Sequence, residues 1–150
     1  MAVCLVNGFG ASEDRQKAAT IFEQLASDGH SDSQYWIGEC YCFGGGVSMD
    51  KTKALQWLSE SAGQGNSYGQ YVVGVCHYWG WGVAKDMKKA SEWFRKSAEQ
   101  GNRSGQCWLA ACYKNGYGVP KDVDAAIFWY RKSADQGHAN AIRNLEVLDY

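Results

Sequence analysis

Apolar and small residues recur along this chain with a period of 36 positions, most clearly in the block from Gln70 to Gly105. The block before it, 34–69, is identical to it at 17 of 36 positions without a gap, and the block after it, 106–141, at 15. A fixed period of this length is typical of supersecondary units stacked in an array. The sequence therefore predicts a partial repeat at 1–33, three repeats at 34–69, 70–105 and 106–141, and a closing helix at 142–150.

Within each repeat, the pattern predicts two helices separated by a glycine-rich turn. Glycine permits the left-handed conformation that ends a helix, and the first helices are expected to end at Gly8-Phe9-Gly10, Gly44-Gly45-Gly46, Gly80-Trp81-Gly82 and Gly116-Tyr117-Gly118. An aspartate can cap the next helix by accepting hydrogen bonds from its first amides, and that position holds Asp14, Asp50, Asp86 and Asp122. The second helices are expected to end at Gly29, Gly65, Gly101 and Gly137.

Small residues at repeated positions let the two helices approach closely and leave room for one bulky side chain in each repeat. Two alanine series supply the small residues, at Ala18, Ala54, Ala90 and Ala126 and at Ala26, Ala62, Ala98 and Ala134. We expect the gap to be filled by Trp57, Trp93 and Trp129, with Ile21 in the first repeat.

The repeated motif resembles that of Sel1-like repeats over nearly the whole chain. The family signature is L-G-x-x-Y-x-x-G-x-G-V-x-x-D followed by A-x-x-W-Y-x-x-A-A-x-x-G, and this chain reads IGECYCFGGGVSMD, VVGVCHYWGWGVAKD and LAACYKNGYGVPKD. The second halves read KALQWLSESAGQG, KASEWFRKSAEQG and AAIFWYRKSADQG. The departures Val73, His77 and Ala110 are size-tolerant. The resemblance implies an all-α fold, a right-handed α-solenoid of antiparallel helix-turn-helix repeats similar to tetratricopeptide repeats, which usually serves as a protein-binding scaffold or adaptor.

Charge and hydropathy give no reason to expect nucleic acid or a membrane as an interaction partner. The formal net charge is −1, from 15 Lys and Arg against 16 Asp and Glu, so no electrostatic attraction to nucleic acid is expected. No apolar run approaches the roughly 20 residues that a membrane span needs, and the start of the chain lacks the features of a signal peptide.

The cysteines indicate a reducing compartment. Equivalent helices of stacked repeats lie about 8–10 Å apart, whereas a disulfide needs Cα atoms within about 7 Å. We therefore predict a ladder of buried thiols at Cys4, Cys40, Cys76 and Cys112. Cys42 and Cys107 have no periodic counterparts. This cysteine usage favours a cytoplasmic location.

The candidate binding site lies on the first helices, which are expected to line a concave face by analogy with related solenoids. One stripe of these helices, spaced i, i+4, i+7, i+11, carries large apolar groups, and aromatic anchors dominate interface energetics. The predicted partner-binding groove consists of Trp36, Glu39, Phe43, Tyr68, Val72, Val75, Tyr78, Trp79, Trp108, Ala111 and Lys114. The alternative is that these residues only pack against neighbouring repeats. Tyr35, Tyr71 and Cys107 are predicted to be packing residues.

The glycine-rich turns offer a second aromatic feature. Phe9, Trp81 and Tyr117 occupy the middle position of their turns, and loops lie at the surface. They would form a ridge in register, or fold back onto the preceding helix.

Catalytic and metal chemistry has little support in the sequence. His30 and His138 share one repeat position but are three repeats apart, and His77 is expected to be a buried, hydrogen-bonded imidazole. Cys40 and Cys42 lack a second pair or a histidine at zinc-ligand spacing. The turns lack the flanking strand and the Lys-Ser/Thr of a phosphate loop. No cofactor and no metal are predicted.

The preferred interpretation is a non-enzymatic adaptor that binds a partner protein or peptide in the aromatic groove. One alternative is self-association as a homodimer through an under-capped N-terminal remnant that carries Met1, Val3, Leu5 and Val6. Another is weak hydrolysis with β-lactam binding, which has been linked to cysteine-rich relatives. Their cysteines pair within a repeat, whereas here the main series recurs once per repeat.

Overall fold

The computed structural model of the chain describes the backbone of residues 12–148 and the side chains of residues 13–148. Every regular element in this part is an α-helix, and the helices are α1 Ser12–Ser27, α2 Ser31–Phe43, α3 Lys51–Gly63, α4 Ser67–Trp79, α5 Met87–Glu99, α6 Arg103–Asn115, α7 Val123–Ala134 and α8 Ala139–Leu148. The predicted all-α repeat fold is confirmed. The closing helix begins at Ala139 rather than at Ile142. None of these eight described helices is long and apolar enough to cross a bilayer.

The chain divides into two compact units, Met1–Gly69 and Gln70–Tyr150. In the first unit, α2 packs against both α1 and α3. In the second unit, α6 packs against α5 and α7, and α7 packs against α8. In the rest of the article, α2, α4, α6 and α8 are the first helices of the repeats, and α1, α3, α5 and α7 are the second helices.

Aspartates cap three of the second helices as predicted. The Asp50 carboxylate accepts hydrogen bonds from the amides of Thr52 and Lys53 at 3.0 and 3.1 Å. Asp86 and Asp122 accept equivalent bonds at the starts of α5 and α7. The prediction for Asp14 is wrong, because α1 begins at Ser12 and Asp14 is its third residue.

The residue just before each first helix lies at the repeat position of His30 and His138. Its role as a helix cap was not predicted from the sequence. Asn66 caps α4 by accepting hydrogen bonds from the amides of Tyr68 and Gly69. Asn102 caps α6 in the same way, and Nδ1 of His138 accepts a hydrogen bond from an amide in the first turn of α8 at 3.4 Å. His30 holds this position before α2 but makes no side-chain cap. Asn66, Asn102 and His138 therefore have a structural role as helix caps.

In the turns at 44–46 and 116–118, the two outer glycines have different roles. The first ends the helix in the left-handed conformation, as at Gly116, where φ is 74°. The second approaches the preceding repeat: a Cβ atom on Gly118 would clash with the backbone carbonyl of Met87. Gly46 has the same relation to the backbone of Arg15. Only a residue without a side chain fits the second position.

The core of each repeat is filled by the residue after the predicted one. Phe22, Leu58, Phe94 and Tyr130 are 4%, 0%, 0% and 1% exposed. The predicted residues Trp57, Trp93 and Trp129 are half-buried and Ile21 is exposed, so that prediction is wrong. The buried side chains enter space left by small residues on the first helices: a Cβ atom on Gly74 would lie 2.7 Å from the ring of Phe94, and one on Gly38 would lie 2.7 Å from Leu58.

Buried polar side chains hold consecutive helices at fixed positions. The Ser133 hydroxyl, 0% exposed, donates a hydrogen bond of 2.7 Å to the carbonyl of Arg103. Ser61 makes the equivalent bond to Ser31 in the first unit. Glutamines pair in the same manner in every repeat, at Gln64–Gln34, Gln100–Gln70 and Gln136–Gln106, with donor–acceptor distances of 2.6, 2.7 and 2.9 Å. These pairs were not predicted from the sequence, although the glutamines recur at two fixed positions of the repeat.

The thiol ladder is confirmed for the described cysteines. Cys40, Cys76 and Cys112 are buried and free of disulfides, and so is Cys107. Cys42 is half-buried and forms no disulfide. Cys4 and the predicted helical remnant at 1–7 lie outside the described residues.

Candidate functional site

Tyr78 is the centre of an aromatic cluster in the second unit. Its ring lies 4.9 Å from that of Trp79, 4.9 Å from that of Trp108 and 5.9 Å from that of Tyr117, each in an edge-on arrangement. Such edge-to-face packing is favourable for aromatic rings. We call Tyr78, Trp79, Trp108 and Tyr117 the aromatic surface of the second unit.

The inner and outer parts of this surface differ in exposure. Trp108 is half-buried because its ring stacks on that of the fully buried Phe94, with centroids 5.3 Å apart and planes at 17°. Trp79 is 65% exposed and Tyr117 is 37% exposed. Burial, followed by the nearby Tyr117, raises the pKa of Tyr78, so its hydroxyl is neutral at physiological pH. The result is a rigid aromatic base with an exposed indole at its edge.

The two repeat positions that hold Tyr78 and Trp108 are occupied by polar residues in the next repeat. Lys114 and Asn144 follow Tyr78 and Trp108 by 36 residues, and the Lys114 ammonium donates a hydrogen bond of 3.0 Å to the Asn144 amide. Residues 70–79 and helix α6 contain no Asp or Glu, whereas α6 carries Arg103 and Lys114. The charged side chains on residues 70–79 and helix α6 are therefore all positive.

In the first unit the aromatic residues form a row. The Trp36 ring stacks on the buried Phe22, with centroids 6.2 Å apart. Tyr35 lies 5.1 Å from Trp36 and 5.6 Å from Tyr68. Tyr68, at the end of the row, is 57% exposed. We call Tyr35, Trp36 and Tyr68 the aromatic row of the first unit.

Two carboxylates accompany this row on α2. The exposed Asp32 accepts a hydrogen bond of 2.6 Å from the amide of Asn66, and Asn66 in turn accepts one from the backbone of Tyr68. Glu39 is half-buried, and desolvation raises its pKa above the ordinary value. Helix α2 contains no Lys, Arg or His. The charge on α2 is therefore opposite to that on α6.

The other predicted groove residues have mixed positions. Phe43 is 76% exposed at the end of α2. Val72 and Ala111 are half-buried, and Val75 packs against the core around Phe94. The groove as a whole stays a prediction, because its residues fall in both units.

The packing and ridge predictions have separate outcomes. Tyr71 packs against the core around Phe94, and Cys107 is 8% exposed, as expected for packing residues. Tyr35 belongs instead to the aromatic row. Tyr117 contacts Tyr78 and so joins the aromatic surface, Trp81 is half-buried, and Phe9 lies outside the described residues.

The thiols and histidines are poorly placed for catalysis. Burial raises the pKa of Cys40 and of Cys107 to about 11 and that of Cys112 to about 12, whereas a nucleophilic cysteine needs a lowered pKa. Between residues 12 and 148, no group of three or more His, Cys, Asp or Glu side chains could hold a metal ion. Nδ1 of His77 is buried and lacks a hydrogen-bond partner within the described part of the chain, so the expected hydrogen bond to this imidazole is not found there.

Paired helices that repeat in register define an α-helical repeat protein. The sequence profile of the Sel1 repeat matches residues 1–30, 31–66, 67–102 and 103–138, and the chain belongs to the Sel1 repeat family. Proteins of this family generally act as scaffolds for protein–protein interaction and are typically not enzymes. No curated protein matches the chain significantly.

Solved structures with this fold come from several bacteria. The chain is 40% identical to a protective antigen with an SLR fold from uropathogenic Escherichia coli strains, with a TM-score of 0.89 over 98% of this chain and 32% of that one. It is 29% identical to a Sel1 repeat protein from Oxalobacter formigenes, with a TM-score of 0.86 over 96% of this chain and 57% of that one. Cysteine rich protein B of Helicobacter pylori, 21% identical with a TM-score of 0.71 over 92% of this chain and 99% of that one, shares the fold. The chain thus spans only part of the first two relatives.

Proposed function

We propose that this chain binds a segment of a partner protein on the aromatic surface of the second unit. The observation that carries the proposal is the cluster around Tyr78, in which Trp79 stays 65% exposed although its ring packs against that of Tyr78. A rigid, exposed indole loses little entropy on binding and buries a large apolar area. Tryptophan and tyrosine are among the residues that contribute most to affinity at protein interfaces.

The charges select the kind of segment. Residues 70–79 and helix α6 offer Arg103 and Lys114 and no carboxylate, so an acidic segment is attracted and a basic one is repelled. The partner segment therefore carries an apolar anchor for Trp79 and Tyr117, with Asp or Glu beside it. The adaptor interpretation requires no catalytic residue, in keeping with thiols whose pKa values are raised.

The test uses peptides selected from a random displayed library on the immobilised chain. The selected peptides should combine an aromatic or aliphatic residue with Asp or Glu. Trp79→Ala should weaken their binding by about 2 kcal/mol, or about thirtyfold in Kd by calorimetry. Phe128→Ala is the matched control, because Phe128 is an exposed aromatic residue of the second unit, 51% exposed, outside the aromatic surface.

The result that contradicts the proposal is equally direct. If Trp79→Ala and Tyr117→Ala both keep full affinity while their circular dichroism matches that of the parent chain, the aromatic surface is not the docking site. A loss of affinity in Phe128→Ala equal to that in Trp79→Ala would place the binding on the second helices instead.

A further inference from the structure

The aromatic row of the first unit is accompanied by two carboxylates that form no ion pair with a described residue. Tyr35 is the middle ring of this row, and its centroid lies 5.1 Å from that of Trp36 and 5.6 Å from that of Tyr68. Asp32 and Glu39 lie on the same helix as Tyr35 and Trp36, at helical spacings that place all four on neighbouring parts of one face. Seven residues of helix separate the two carboxylates by about 10 Å. The rings therefore lie between two negative charges.

Neither carboxylate is neutralised inside the chain. Among residues 13–148, no basic side chain forms an ion pair with Asp32 or Glu39. The one hydrogen bond that Asp32 accepts comes from the neutral amide of Asn66. A half-buried carboxylate without a counter-charge is unfavourable in the free protein, so a cation supplied from outside relieves that cost.

We propose that the aromatic row of the first unit, with Asp32 and Glu39, is a binding subsite for an arginine or lysine side chain of a partner polypeptide. The proposal extends the proposed protein-binding role to a second surface with its own charge. A cation within about 6 Å of the face of Trp or Tyr is attracted by the ring quadrupole. A guanidinium also stacks on aromatic rings and pairs with carboxylates in a fork, so arginine is preferred over lysine.

The geometry explains how each residue contributes. Tyr68 offers the most exposed ring of the row, and its backbone amide is held by Asn66, the residue that also holds Asp32. Trp36 is fixed by stacking on the buried Phe22. Rings and one carboxylate are thus positioned before the ligand arrives, which reduces the entropy cost of binding.

The experiment measures binding of the peptide acetyl-Gly-Arg-Gly-amide to the chain by NMR, with the Trp36 indole N–H as the reporter. That resonance is assigned by comparison with Trp36→Phe. The arginine peptide should give a saturable shift, and the same peptide with neutral citrulline in place of arginine should bind at least about tenfold more weakly.

Two variants and one control locate the subsite. Glu39→Gln and Tyr68→Ala should each weaken binding of the arginine peptide by about threefold to fivefold. Glu92→Gln removes an exposed carboxylate on α5 in the second unit and should leave the affinity unchanged. Thermal unfolding of each variant shows whether its fold is intact.

Three outcomes overturn the proposal: equal binding of the citrulline peptide, unchanged affinity in both Glu39→Gln and Tyr68→Ala, or tighter binding of the small diamine putrescine than of the arginine peptide. The first two deny a cation subsite, and the third assigns it to a free polyamine. None of these outcomes changes the expected binding of the selected peptides at Trp79, so the two proposals can fail separately.

Discussion

The second glycine of the fourth glycine-rich turn, Gly118, tests how closely consecutive repeats must pack. Gly118 has a φ of 69°, and a Cβ atom there would clash with the carbonyl oxygen of Met87 and would lie 2.8 Å from Cα of Lys88. These are backbone atoms, which cannot rotate away as a side chain can. Gly118→Ala therefore combines two costs, the left-handed conformation and the collision.

Gly137→Ala separates these two costs. Gly137 also has a positive φ, 79°, but a Cβ atom there would meet nothing within 4 Å. An L-residue in the left-handed region costs about 1–2 kcal/mol, so that is the expected destabilisation in Gly137→Ala. Overpacking adds about 1–3 kcal/mol, which brings Gly118→Ala to about 2–5 kcal/mol. At about 2–4 °C per kcal/mol for a chain of this size, the difference is visible in Tm.

The assay is urea and thermal unfolding followed by circular dichroism at 222 nm. Both units belong to a repeat protein, so the transition is first checked for two-state behaviour with a second probe, tryptophan fluorescence. The reasoning is refuted if Gly118→Ala is no less stable than Gly137→Ala. That result would mean that the turn moves away from α5 without cost.

Two further predictions concern buried polar groups. Ser133→Ala removes the hydrogen bond to the Arg103 carbonyl and should destabilise the chain by about 1–3 kcal/mol in urea unfolding, whereas Ser59→Ala, at an exposed position, should cost less than about 0.5 kcal/mol. Burial raises the pKa of Glu39 in the folded chain above the ordinary value of 4.5, so folding disfavours its charged form. The contribution of this group to stability is therefore complete below pH 4.5 and is lost as pH rises through the folded pKa. Glu39→Gln should therefore have a higher Tm than the parent chain at pH 7 and lose this advantage near pH 4; an equal difference at both pH values would contradict this.

The repeat and its helices could be predicted because their signals are local. Glycine at the end of a helix and aspartate at the start of the next act through their own backbone and the adjacent amides. Asp50 and Gly116 therefore do in the structure what their positions in the sequence predict. The Asp14 prediction failed because helix α1 begins at Ser12, three residues earlier than the repeat position at which the equivalent helices start, and the repeat alone does not fix where the first one starts.

The position of each bulky residue could not be predicted with the same certainty. Trp93 and Phe94 are neighbours on α5, both are aromatic, and either could point inward. The structure buries Phe94 because Gly74 on α4 leaves space for its ring, and Trp93 is left half-buried. Only the rotation of one helix against the next decides between them, and one residue of helix is a rotation of about 100°.

For the candidate site, too, some features follow from the sequence and others only from the tertiary structure. The sequence by itself determined that aromatic residues recur on the first helices and that acidic residues occur on α2 but not on α6. The tertiary structure decided that Tyr117, from a turn, meets Tyr78, and that Tyr35 lies beside Tyr68. Periodicity and charge are properties of the chain in one dimension, whereas contacts between residues about 30 or 40 positions apart depend on how consecutive helices pack. The second glycine of the turn and the buried serines fix that packing, and no local pattern specifies the contacts it creates.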